Sequence, residues 1–185
     1  EMLEKAYCTI ERHKADIVMY DFMHVPSDSI YNKLEKQHNE EYIDRYCRHT
    51  FTIQDGGPYE FLKWSSGPWN KLYRKSFVEK NKIVFQNLSS SNDIYFVCMA
   101  LMLSDRLIAI EDTRVMVYIR DHFESTRISN NRIPICAYKA YMKLGKELIK
   151  RDKFGQLFQH YYTRVLSGLL VALGKAKSEE EKRNF

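Results

Sequence analysis

The side chains best equipped for chemistry in this chain are one aspartate and a few polar groups set among aromatics. Asp93 follows Ser89-Ser90-Ser91-Asn92 and precedes the apolar run Ile94-Tyr-Phe-Val97, so it falls in the first turn of an expected helix. The positive end of the helix dipole favours a carboxylate there and helps keep it ionised. An ionised carboxylate can accept a proton from a hydroxyl, or it can be no more than a helix-start residue. Trp69 and Lys71 stand two apart in Trp69-Asn-Lys-Leu-Tyr73, an aromatic and a cation, although Trp69 equally begins the apolar face of a helix. Arg120, in Tyr118-Ile-Arg120, can meet a phosphate or pair with a nearby acid. His122 reads as a plain loop histidine rather than a metal neighbour. Glu111-Asp112, between two expected strands, reads as a solvated turn.

The composition bounds what these groups can serve. The chain has 185 residues, 44% hydrophobic and 14% aromatic, with only 7 Gly and 4 Pro, which excludes a disordered or low-complexity chain. A formal charge of +5 favours anionic partners. Acidic residues interrupt nearly every basic group, as in Glu-Glu-Glu-Lys-Arg at 179–183, so no nucleic-acid stripe forms and most of the charge reads as solvated surface. Cys8, Cys47, Cys98 and Cys136 are about 40 to 50 residues apart with no C-x-x-C pair, and the six histidines are equally dispersed. Neither a zinc site nor a disulfide framework is expected, and the default compartment is reducing. The longest nearly apolar stretch, Val165 to Leu173, is too short for a membrane-spanning helix.

Mixed helices and strands must position the candidate groups. Met2, Leu3, Ala6, Tyr7 and Ile10 have helical spacing, and Asp16–Phe22 is apolar at successive positions, as in a strand covered on both faces. Residues 26–48 are polar, either an exposed helix with loops or an excursion, and Asp55-Gly-Gly-Pro58 is a turn. A helix is expected from Pro68 to about Asn81, capped by Ser65 or Ser66 and burying Trp69, Leu72, Tyr73 and Phe77. Another follows Ser89-Ser90-Ser91, with Phe96, Val97, Ala100, Leu101 and Leu103 as its apolar face. Leu107–Ile110 and Arg114–Ile119 then read as strands joined in hairpin fashion. Beyond Ser125–Arg132, Ile135, Tyr138, Met142 and Ile149 mark one helix. Phe154, Leu157, Phe158, Tyr161, Val165, Leu166, Leu169 and Leu173 mark a longer one, with Tyr161-Tyr162 as packing. The two are expected as an antiparallel pair docked on the α/β part, and the charged last ten residues as a frayed end.

Four of these segments, taken in order, resemble a known family. Trp69-Asn-Lys-Leu-Tyr-Arg-Lys-Ser-Phe77, then Asn81-Lys-Ile-Val-Phe85, Asn92-Asp93 opening a helix, and Tyr118-Ile-Arg120 follow the pattern of bacterial family-2-type inverting glycosyltransferases. Those proteins show W-N-K-L-[YF]-R-x-x-F, N-x-I-x-F, an acidic pair, and a Y-R or Y-x-R element. The resemblance implies an α/β fold, the second half of a nucleotide-sugar transferase, with residues 1–132 as the acceptor-side part and 133–185 as a helical C-terminal extension. It also implies that Asp93 is the general base. Trp69, Lys71, Asn92 and Arg120 then line the acceptor or the leaving diphosphate. Asn92 departs from the commoner Glu and leaves Asp93 without a charged neighbour.

No D-x-D triplet occurs at any position, although the family's donor half carries one. The chain opens on Glu1 in mid-pattern, so the resemblance implies a fragment without the donor site, inactive alone and binding no sugar nucleotide tightly. The divalent cation, Mg or Mn, would be held mainly by the absent half, with none expected in this chain. The partners implied are a nucleotide-sugar donor and a saccharide or lipid-linked acceptor in cell-surface polysaccharide or glycolipid synthesis. The expected place is the cytoplasm or the membrane's cytoplasmic face, with peripheral contact to anionic lipid and a homodimer formed through exposed sheet surface. The rival reading is a non-catalytic interaction module that docks a partner through the long apolar helix, with Asp93 only a cap.

Overall fold

The apolar run that opens at Asp16 becomes the central strand of a three-stranded sheet. The structure is a computed structural model and describes residues 2–20, 23–25, 46–64, 67–110, 117–119, 134–174 and 183. The chain divides into two compact units: Glu1–Thr52, Trp69–Lys80 and Ser104–Ser125 in the first, Ile53–Pro68, Asn81–Leu103 and Thr126–Phe185 in the second.

In the first unit, β1 (Ile17–Met19) pairs antiparallel with β3 (Lys71–Tyr73) and parallel with β4 (Leu107–Ala109), giving the order β3-β1-β4. Every residue of β1 and β4 is buried, as expected for strands covered on both faces. Val18, Tyr20, Ile108 and Ile110 alternate along their strands and share one core cluster with Ala6 and Ile10 of helix α1 (Met2–Arg12). Leu3 and Tyr7, also expected on the buried side, are exposed. Helix α1 ends in a Schellman motif. Ala15 N–H donates to Ile10 O (2.9 Å) and Lys14 N–H to Glu11 O (3.1 Å), with Lys14 left-handed at φ 48°. A second, two-stranded parallel sheet joins β2 (Met23–Val25) to β5 (Val117–Ile119).

Two expectations fail here. Residues 71–73 are strand rather than helix, and only α3 (Lys75–Lys80) is helical. Trp69, Leu72, Tyr73 and Phe77 fit helical spacing, but pairing with β1 satisfies more buried backbone than one more helical turn would. Nor do β4 and β5 form a hairpin: each lies in a different sheet, parallel to the strand that precedes it by some ninety residues. Residues 26–45, Ser65, Ser66, the 111–116 connection, Arg120, His122 and 125–132 lie outside the described residues.

The second unit is helical. Helix α2 (Ile53–Lys63) breaks at Gly57 (φ 76°) before Pro58, so the expected Asp55–Pro58 turn is a kink within it. Helix α4 (Asn92–Leu103) is buried at every position from Ile94 to Met102, all round rather than on one face. Helices α5 (Pro134–Lys150) and α6 (Phe154–Gly174) form the expected antiparallel pair, fixed by reciprocal close approaches. A Cβ on Gly145 would lie 2.6 Å from Tyr161 Oη, and one on Gly168 would overlap Tyr141 Oη. The face of α5 differs from the one expected: Tyr138 and Ile149 are exposed, and Ala137, Ala140, Tyr141, Leu144, Gly145 and Leu148 are buried. Helix α6 packs against α2 as well as α5. His160 and Arg164 lie in its buried face, while Phe158, Tyr162, Leu166 and Leu170 are exposed.

Candidate functional site

The run Trp69-Asn-Lys-Leu-Tyr-Arg74 is stitched to the first unit through its polar atoms. Tyr20, immediately after β1, donates its hydroxyl to Trp69 O (2.9 Å) and its N–H to Asn70 O (3.1 Å). Asn70 Nδ2 donates back to Tyr20 O (3.2 Å), and Lys71 Nζ donates to Asn70 Oδ1 at 2.7 Å. Asn70 and Lys71 are both buried. Met19, the last residue of β1, pairs with Lys71, so this ammonium lies at the carboxyl end of a strand in a partly parallel sheet. That is the end where open α/β sheets bind ligands. Trp69 is half-buried in the turn before β3. Burial raises the Tyr20 phenol above its ordinary value, so it serves as a neutral donor.

Arg74 closes the same run. Its N–H donates to Asp16 O, its Nε to Ala15 O (2.8 Å) and its Nη2 to Ile10 O (2.9 Å), while Nη1 pairs with Glu11 at 2.8 Å. It ties β3 to the end of α1. A groove of about 450 Å³ lies beside it, lined by Tyr7, Ile10, Leu72 and Lys75 among others. It includes none of Trp69, Lys71, Asn92 and Asp93.

In the second unit, Asn92 and Asp93 open α4. Ser91, the preceding residue, is left-handed at φ 57° and its buried hydroxyl has no hydrogen-bond partner among the described residues. Ser91 therefore does not cap the helix by its side chain, and Ile94 N–H turns to Ser91 O instead (3.3 Å). Asn92 is exposed and Asp93 half-buried. Among the described residues, the Asp93 carboxylate makes no hydrogen bond or ion pair, so it is not occupied as a cap of its own helix. Gln86 N–H donates to Asn92 O at 3.4 Å and brings the segment Val84-Phe-Gln86 against the start of α4. Cys136, in the first turn of α5, lies 3.5 Å from Ser89 Oγ. Burial pushes its thiol up, but hydrogen bonds with Ser89 and Ser90 and the Lys139 charge outweigh that and leave it below the ordinary thiol value.

The sequence-based candidates thus fall in two places: Trp69 and Lys71 in the first unit, Asn92 and Asp93 in the second. Tyr20, Asn70 and Arg74 were not singled out from the sequence, because their roles are bonds to backbone carbonyls that only the paired strands bring within reach. All four cysteines are free thiols. Among the described residues, no three His, Cys, Asp or Glu groups come together as a metal-binding set, so the side chains described do not fit a divalent cation. Among the same residues, no helix is long and apolar enough to cross a membrane.

No family model and no curated protein matches the chain. Solved structures do. The structure of S. aureus TarS 1–349 in complex with UDP-GlcNAc matches with a TM-score of 0.69 at 16% identity over 100% of this chain. The chain spans about half of that structure, 51% of its length. The UDP complex of the same protein matches at a TM-score of 0.48 and 16% identity, over 80% of this chain and 42% of that one. TarS is a glycosyltransferase, and the fold of this chain, mixed α/β with a small three-stranded sheet, is glycosyltransferase-like.

Proposed function

We propose that this chain is the acceptor-side part of a bacterial, family-2-type glycosyltransferase. It acts with inversion, moving a sugar from a nucleotide-sugar donor to a hydroxyl of a saccharide or lipid-linked acceptor. The observation that carries the proposal is the Asp93 carboxylate, in the first turn of α4 and unpartnered among the described residues, within a fold similar to TarS along the whole chain. The complex of that protein with UDP-GlcNAc supports a nucleotide-sugar donor. In the reaction Asp93 takes the acceptor hydroxyl's proton as its oxygen attacks the anomeric carbon. The bond from that carbon to the diphosphate oxygen breaks, and its electron pair leaves on the nucleoside diphosphate. Lys71 would offset charge on that diphosphate. Trp69, Asn92 and Arg120 would line the substrates, with residues 1–132 as the catalytic part and 133–185 as a helical extension. A divalent cation, Mg or Mn, would be held mainly by the donor half and would offset further charge on the diphosphate. Cell-surface polysaccharide or glycolipid synthesis at the cytoplasmic face is the setting we assign.

The test is nucleoside-diphosphate release from a panel of sugar nucleotides by the protein extended upstream of Glu1 to include the donor half, comparing wild type with Asp93→Asn. A loss of about a hundredfold or more is expected for a missing general base. Equal turnover would make Asp93 structural. One observation favours a second reading, a non-catalytic interaction module: the exposed row Phe158, Tyr162, Leu166 and Leu170 on α6. In that case Asp93→Asn changes nothing measurable.

A further inference from the structure

The segment placed against the start of α4 carries an aromatic ring that packing does not account for. Phe85 stacks on Phe96 with ring centroids 4.1 Å apart and planes 4° from parallel. Phe96 is 7% exposed, whereas Phe85 is 50% exposed and its neighbour Val84 56%. One face of the Phe85 ring is therefore covered by Phe96, and half of the residue remains exposed. Phe96 lies three residues after Asp93 on the same helix, and positions i and i+3 share a face. The hydrogen bond from Gln86 N–H to Asn92 O fixes the chain on both sides of this pair. A half-exposed aromatic ring, stacked on Phe96, and a carboxylate unpartnered among the described residues are thus both tied to the opening turns of α4.

We infer that Phe85 is a stacking platform for a sugar ring of the acceptor, beside the carboxylate that Asp93 presents. This rests on the proposed function for its assignment to the acceptor. A pyranose has an apolar face of C–H groups and a rim of hydroxyls. The first fits an aromatic face held rigid from behind, and the second donates to a carboxylate. A nucleotide is the poorer fit, because its phosphates would be repelled by Asp93. The platform would set the ring's angle to Asp93, so that one hydroxyl rather than another meets the base.

Saturation-transfer NMR on the protein with methyl β-D-glucopyranoside and methyl N-acetyl-β-D-glucosaminide, with sorbitol as an open-chain control, tests this directly. Wild type should saturate the ring C–H protons of both glycosides and leave sorbitol weak. Phe85→Trp should keep the signal. Phe85→Ala should lose about fivefold or more, the low end for losing an aromatic stacking surface. Phe85→Leu, which preserves apolar contact with Phe96 but lacks a flat ring, should lose as much, and it decides the matter if the Ala variant does not fold. No transfer to either glycoside in wild type, or an unchanged signal in the Leu variant, overturns the platform. Nucleoside-diphosphate release by Asp93→Asn is read separately: a failure there removes the base and leaves the stacking result standing.

Discussion

Asp93 could be picked out from the sequence because an acid just after Ser-Ser-Ser and just before an apolar run has few alternatives to a first helical turn. His160 could not. It lies in the buried face of α6, where hydrophobic spacing finds nothing, and its Nε2–H donates to Ile53 O at 3.0 Å. Arg164, one turn on, is equally hidden. It donates to Phe61 O and Trp64 O at the end of α2 and lies 4.4 Å from the Phe61 ring centroid. Both polar groups are buried because the last carbonyls of a helix and an open backbone group need donors. That pairing is invisible before the helices meet. Burial lowers the His160 pKa below its ordinary value of 6.5, and its bond to Ile53 O offsets this only in part. The folded chain thus binds fewer protons here than the unfolded chain below pH 6.5, and stability falls as pH drops through that range. Urea unfolding at pH 7.5 and 5 should show the loss, at most about 1.4 kcal/mol per pH unit from one site. His160→Asn should flatten the slope.

At the scale of elements, four helices were readable, α2 was read only as a turn at Asp55–Pro58, and the buried faces were harder to read than the spans. The spans of α1, α4, α5 and α6 follow from apolar spacing. The buried side of α5, however, is built on Ala137, Ala140 and Gly145, small residues that let α6 approach, while larger residues such as Tyr138 and Ile149 point outward. Weighting by side-chain size selects the wrong face wherever close approach matters more than volume. The strand β3 was misread for a related reason, since a strand, a turn and a short helix can imitate one helical period. The glycines give a test within one helix. Gly168→Ala would place a methyl against the Tyr141 ring and should cost about 1–3 kcal/mol by overpacking. Gly155→Ala, with nothing within 4 Å, should be neutral or stabilising by up to about 1 kcal/mol. Thermal or urea unfolding of the two variants decides it.

Across the whole molecule, the long-range pairings were the least legible. Ile17–Met19 meets Leu107–Ala109, and Phe51 bridges Leu107 with reciprocal bonds of 2.9 and 2.8 Å, across separations that no local pattern encodes. The helical pair α5–α6, by contrast, closes within a few dozen residues. Local contacts form before distant strands pair. Pulse-labelled hydrogen exchange during refolding should therefore protect Leu144 and Leu148 before Val18 and Ile108; the reverse order would put the sheet first. The bonding of the Trp69–Arg74 run has a consequence for how such chains are recognised in genomes. Asn70 and Arg74 spend their donors on Tyr20 O, Ala15 O and Ile10 O, which are backbone atoms of the scaffold. A search keyed on those letters therefore retrieves chains that build this sheet and helix corner, including any that have lost their catalytic group. Asp93, the base proposed above, lies outside that run, so a diagnostic for the proposed activity is written around it instead.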